Sequence, residues 1–210
     1  MDSLEFDDLN DTDQKKLSVD YETYFGEMDL TDEEKEKRKK FAEELEKELL
    51  FFFALYMIAK EIDYQDMQYV KNQLEQRYRQ VVERNMEIDE HLENHISDFA
   101  QEIFEVTQNH LDDEWYTSGD RAVLTAENET NSVANYNDYR KAKKAGKKSK
   151  TWVTMNDKAV RHTHRVLDYK TIPINGVFLV GDSEMLFPKD ETFGASMKET
   201  AGCRCVIKYH

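Results

Sequence analysis

The sequence predicts an α+β chain, with a long N-terminal helical arm or bundle followed by a small C-terminal α+β domain with a short sheet. Two observations carry this expectation. No Gly or Pro occurs from Glu27 to Ser118, where Glu, Lys, Gln, Leu and Met are dense, the composition of long helices. Both prolines, both cysteines and six of the seven glycines lie from Gly119 onward, the punctuation of turns and short strands.

Residues 1–30 are acidic and weakly patterned and are expected to be flexible. The helical arm or bundle is expected over 31–117. Thr31 precedes Asp32-Glu33-Glu34, a capping box in which Thr31 bonds a first-turn N–H and Glu34 reaches back. It opens a helix over about 32–62. Leu49 to Ala59 is apolar all round and bounded by Glu48 and Lys60. A membrane span needs ~20 apolar residues, so this run is read as a buried or partner-facing segment. A helix apolar on every side must be covered on every side, which makes Leu49, Phe52, Phe53, Leu55 and Tyr56 the expected partner-binding residues. A second stripe, Met67, Val70, Leu74, Tyr78 and Val81, continues from Ile88 to Val106 in steps of three and four. Whether Asn85 divides it into two helices is left open by the pattern. These helices are expected to form a hairpin or bundle with its own core.

Residues 118–150 are expected to be a helix and basic linker, opened by Ser118-Gly119-Asp120 and running to about Ala145, with Gly146 just past its end. Residues 151–210 form the expected α+β domain. Its strands are Thr151 to Thr154, Val177 to Val180 and Cys205 to Tyr209, with a short helix from Asp157 to about Leu167 between the first two.

The formal net charge of −15 argues against wholesale wrapping of nucleic acid. Against that background Arg140, Lys141, Lys143, Lys144, Lys147, Lys148 and Lys150 form a local reversal, suited to phosphate contact without base specificity or to an acidic protein surface. The acidic N-terminus lacks the basic region of a secretory leader. The spacing of the two cysteines suits a reducing compartment. A soluble, cytosolic site of synthesis is expected.

Cys203 and Cys205 are two apart near a strand and share a face. Thiolates so placed are soft ligands for zinc, with a histidine to extend the set. On a helix His162 and His164 stand about 200° apart, so one of them can join, and His164 is taken with Cys203 and Cys205. The bland reading is two small core residues with Arg204 facing out between them. Arg161, His164 and Asp168 at helical spacing could serve acid–base or phosphate chemistry, or a structural network. His91 and His95, at i and i+4, have metal-binding spacing without the glutamate placement of a zinc hydrolase. No nucleophile elbow, phosphate loop or paired-carboxylate signature completes an active site.

The order of several short motifs adds a resemblance. Ala126-Glu127-Asn128-Glu129 and Asn135 come first, followed by Gly146 leading to Lys150-Thr151-Trp152 and by Asp157. Arg161-His162-Thr163-His164 then reads as R-x-x-H, followed by Leu167-Asp168, Phe178, Pro188 and Asp190, and the series closes on Gly202-Cys203-Arg204-Cys205. From about Tyr116 onward the chain resembles the phage Mu F-like (MuF) family of minor head, or head-morphogenesis, proteins. It departs from the pattern at Gly202, where many members have Asn, and at Tyr169, where Gly is frequent. The resemblance implies a minor structural protein of a tailed phage or prophage, without enzymatic activity or a cofactor. It would associate with the portal protein, with capsid or scaffolding protein as further partners. It would contact packaged double-stranded DNA to aid retention or ejection, and reside in the virion interior after assembly in the host cytoplasm. Two alternatives stand beside it: a small nuclease or nucleotide-directed effector using Arg161 and His164, and a helical adaptor.

Overall fold

A computed structural model describes residues 21–210. The fold is α+β, helical through its first two thirds and closed by short antiparallel strands. It divides into two compact units, one of residues 40–126, the other of residues 21–39 with 127–210.

The helices are α1 (Tyr21–Gly26), α2 (Asp32–Glu61), α3 (Met67–Asn85), α4 (Glu90–Asn109) and α5 (Gly119–Lys144), with a 3-10 turn at Glu114–Thr117 before α5. Their boundaries follow from side-chain caps. Thr31 N–H donates to Glu34 Oε2 at 2.9 Å and Glu34 N–H to Thr31 Oγ1 at 3.3 Å, the reciprocal capping box. Asp66 and Asp89 accept from Tyr69 and Leu92 N–H at 3.2 and 3.1 Å. Ser118 Oγ accepts from Arg121 N–H at 3.2 Å to open α5. The long apolar stripe is divided: α3 ends at Asn85, Met86 is extended, and Asp89 starts α4. The four-residue connection turns α3 and α4 into a hairpin. Its seam holds Val70, Leu74, Tyr78 and Val81 against Leu92, Ile96, Phe99 and Ile103, with the Tyr78 and Phe99 ring centroids 4.6 Å apart.

Two expectations for the first part of the chain are corrected. Of the stretch expected to be flexible, residues 1–20 lie outside the described residues, but 21–30 are structured. α1 buries Tyr21, Tyr24 and Phe25, and Met28 follows them inward. The acidic composition there hides an aromatic face. The apolar run of α2 is also not covered on every side. Leu49, Phe52, Phe53, Tyr56 and Ala59 are buried at helical spacing, Leu55 is half-buried, and Leu50, Phe51, Met57 and Ile58 are exposed. Single apolar side chains at a surface are tolerated, and the Arg77 guanidinium lies 3.7 Å over the Phe51 ring.

The strands are β1 (Ser149–Val153), β2 (Thr171–Pro173), β3 (Phe178–Val180), β4 (Ser183–Met185) and β5 (Val206–Tyr209), with one-turn helices α6 (His162–Arg165) and α7 (Met197–Thr200). β1 is central in the antiparallel order β2-β1-β5, with Thr151 opposite both Thr171 and Lys208. β3 and β4 form a separate hairpin through Gly181-Asp182, where Gly181 takes the positive φ of 59° that a two-residue turn needs. The helix expected over 157–167 shrinks to α6, because Asp157 Oδ1 accepts Ala159 N–H at 2.9 Å in a local turn. β2 and β4, three residues each, carry too little pattern to be foreseen. β1 begins at Ser149, inside the expected basic linker. Trp152, Leu167, Phe178, Val180, Met185, Cys203 and Cys205 form the core beneath these strands.

Candidate functional site

One face of α5 is polar where a helix in a folded unit would ordinarily be apolar. Asn128, Asn131, Asn135 and Asp138 follow at steps of three and four, which aligns them on one side. Asn131 and Asn135 use both ends of the amide. Asn131 Nδ2 donates to the Cys203 carbonyl at 2.7 Å, while Asn131 Oδ1 accepts from Arg38. Asn135 Nδ2 reaches the carbonyls of Pro188 and Cys205 at 3.2 and 3.3 Å, while its oxygen accepts from Arg38 at 3.2 Å. Asn128 Oδ1 accepts from Gly202 N–H at 2.7 Å and Lys189 Nζ at 2.8 Å. Arg38 completes the array with Asp138 at 2.9 Å. Buried amides satisfied at both ends rigidify what they hold, and here they hold the Gly202–Cys205 backbone.

The side chains of that segment face α6. His164 Nδ1 lies 3.4 Å from Cys205 Sγ and 3.5 Å from Cys203 Sγ, and all three residues are buried. The opposite ring nitrogen, Nε2, is 3.1 Å from Glu199 Oε2, an oxygen that also accepts from Thr163 Oγ1 at 2.7 Å. Gly181 lets this carboxylate approach, since a Cβ there would come within 2.5 Å of Glu199 Oε1. The hydrogen bond from Cys205 and the neighbouring His164 hold the Cys203 thiol well below its ordinary pKa. Cys205 is pushed well above by Cys203 and by burial. Burial disfavours the charged His164, but the Cys203 sulfur outweighs it and the pKa rises. These opposite shifts favour negative charge on Cys203 over Cys205 and positive charge on His164 beside it. Two soft sulfurs and an imidazole nitrogen, all within 4.8 Å of one another, are also the donor set of a zinc site. A cavity of about 20 Å³ opens onto them, lined by Met155, Ala159, Val160, Arg161 and Arg204.

The family description Phage Mu protein F like protein matches residues 86–208. The chain belongs to this family. The match begins at Met86, where α3 ends, and runs from α4 through β5, so it takes in the whole polar face of α5 and the His164–Cys203–Cys205 cluster. Membership in the Mu F-like family points to phage head morphogenesis, a structural role. No curated protein and no solved structure matches the chain.

The other expected site residues are placed as follows. Arg161 donates to the Ala201 carbonyl, and Asp168 Oδ1 accepts Thr154 N–H at 2.8 Å. Asp168 thus caps the end of β1 instead of joining Arg161 and His164 on one helix face, a correction that follows from the shortness of α6. In the basic run Lys141, Lys143, Lys144, Lys147 and Lys148 are exposed. Arg140 is half-buried and bonds Asn137 Oδ1 at 3.1 Å. Lys150, expected to contact DNA, is wholly buried, a second correction. Two residues from Trp152 in β1, it shares that residue's inward face, and its Nζ stands 5.0 Å from the Tyr139 ring centroid and 5.5 Å from that of Phe178. Leu49, Phe52, Phe53 and Tyr56, expected to bind a partner, lie instead in the interior. His91 is exposed on α4 and His95 half-buried. Neither belongs to a group of three metal-capable residues among the described residues.

Glu199 and Gly181 reach the site only through the fold, and no local spacing announces either of them. The 3-4-3 spacing of Asn128, Asn131, Asn135 and Asp138 was a signal available in the sequence: repeated Asn is unfavourable inside a helix and so implies bonded partners.

Proposed function

We infer that the chain is a minor head protein of a tailed phage or prophage that associates with the portal during assembly and touches packaged double-stranded DNA. Membership in the Mu F-like family over residues 86–208 carries this reading. Two features support its finer parts. The end of α5 and the turn after it present five exposed lysines. Gly146 at φ 72°, with Lys147 N–H bonded to the Ala142 carbonyl at 3.1 Å, fixes the turn. Such a cluster suits phosphates regardless of base sequence. The exposed side of α2, with Leu50, Phe51, Met57 and Ile58, offers apolar surface to a portal, capsid or scaffolding subunit. The protein acts in the virion interior and, during assembly, in the host cytoplasm.

Procapsids purified from cells that produce the phage test the assembly role. The chain is expected to co-purify with portal protein, and procapsids that lack it while assembling and packaging normally would reject the reading. For the DNA contact, five phosphate partners predict a slope of log K against log salt of about −4 to −5. Replacing Lys141, Lys143, Lys144, Lys147 and Lys148 by Gln should abolish binding.

A further inference from the structure

We propose that His164 Nδ1, Cys203 Sγ and Cys205 Sγ bind one zinc ion, leaving a fourth coordination position that faces the small cavity beside Arg161 and Arg204.

The distances carry the argument first. Zinc–sulfur bonds of ~2.3 Å and zinc–nitrogen bonds of ~2.0–2.1 Å at a tetrahedral angle set each N···S separation near ~3.6 Å. The two separations here are 3.4 and 3.5 Å. Hydrogen bonding alone accounts poorly for such a nitrogen. An imidazole Nδ1 has one lone pair or one proton, so it serves one sulfur at a time, whereas two sulfurs approach it almost equally. A metal ion at the point of convergence satisfies all three atoms together.

The surroundings are those of a built ligand set. Glu199 Oε2 at 3.1 Å from Nε2 fixes the ring so that Nε2 carries the proton and the Nδ1 lone pair faces the sulfurs. A carboxylate behind a ligating histidine is the usual outer support of a zinc site. Asn131 and Asn135 grip the carbonyls of both cysteines, so the thiols are presented without rearrangement. Charge also balances, because two thiolates neutralise a divalent ion, and a neutral cluster tolerates burial that a lone cation would not. The cavity of about 20 Å³ has room for a single water as the fourth ligand. Among available metals, two thiolates with an imidazole at tetrahedral spacing select zinc over the harder cations.

The test uses the full chain, purified under reducing conditions without chelator, then loaded with Zn2+ or Co2+ and desalted. About one zinc ion per chain is expected, and the cobalt form should show sulfur-to-cobalt charge transfer with a tetrahedral ligand-field spectrum. Cys203→Ser and Cys205→Ser should each weaken the charge-transfer band and release zinc to a competing chelator. Glu199→Gln should retain the metal with affinity lowered about 10–100-fold. The wild-type cobalt spectrum needs no substitution, so the proposal stays testable if a variant misfolds. Wild-type protein with both thiols free that holds no zinc after desalting would overturn it. So would zinc retained by the Cys203→Ser, Cys205→Ser double variant, or a Cys203–Cys205 disulfide in freshly purified reduced protein.

Discussion

Asn131 joins Arg38 to Cys203: its amide nitrogen donates to the cysteine carbonyl at 2.7 Å while its oxygen accepts from the guanidinium. Residues far apart in sequence are tied through one buried side chain. Asn131→Ala would leave a buried carbonyl and a buried guanidinium N–H without this partner. The expected loss is about 1–3 kcal/mol, read as a lower urea midpoint. Asn131→Asp keeps the acceptor for Arg38 but loses the donor to Cys203, and should fall between wild type and Asn131→Ala.

Lys150 makes stability depend on alkaline pH. Burial lowers its pKa from 10.5 to about 8, and its Nζ has no hydrogen-bond partner among the described residues. Below pH 8 the ammonium is charged in both folded and unfolded chains, and the full cost of burying it is present. Between about 8 and 10.5 the folded chain has released the proton and the unfolded chain has not, so stability rises with pH, by up to about 3 kcal/mol. Lys150→Met should be more stable than wild type at pH 7 and should lose this rise. Thermal melts of both proteins from pH 7 to 10.5 check it, and an identical slope in the two would refute the assignment. The same variant should bind DNA as wild type does, in contrast to the five exposed lysines.

Gly181 is required twice, by its φ of 59° and by the Glu199 carboxylate that a Cβ would strike. Gly181→Ala is expected to cost about 1–3 kcal/mol from backbone strain. Because it displaces Glu199 from His164, it should also weaken zinc retention. Chemical denaturation and chelator competition on the same sample read the two effects separately.

The two sides of α2 should respond in opposite ways. Phe52, fully buried, is expected to cost about 3–5 kcal/mol as Phe52→Ala. Ile58, 56% exposed, should change stability by less than about 0.5 kcal/mol as Ile58→Lys. If the exposed side docks on the portal, Ile58→Lys abolishes co-purification with a folded chain.

Much of this architecture is legible in the residues. The Thr31–Glu34 capping box, the α3 and α4 stripes and the glycine-rich C-terminal part all predicted elements that the structure contains. The grouping of His164 with Cys203 and Cys205 is anticipated by the i, i+2 spacing of the cysteines and the room for one histidine, although both cysteines lie just before β5 and not in it. The α3–α4 break was harder to read, because Met86-Glu87-Ile88 contains no Gly or Pro and only Asp89 marks the new helix. Lys150 was misread for a physical reason. In a run of lysines, composition says solvent, but the strand's alternation sends this one inward beside Trp152. Glu199 was invisible because its role depends on a hairpin and a one-turn helix meeting, which no local spacing encodes.

The central position of β1 sets an order of events during synthesis. Its partner β5 aligns Thr151 with Lys208, so the sheet and the cysteine-bearing segment can close only after nearly sixty further residues have followed. The α3–α4 hairpin draws on neighbouring residues and can form while the ribosome is still working. A product cut short before Cys203 would therefore emerge as helices with an unfinished end.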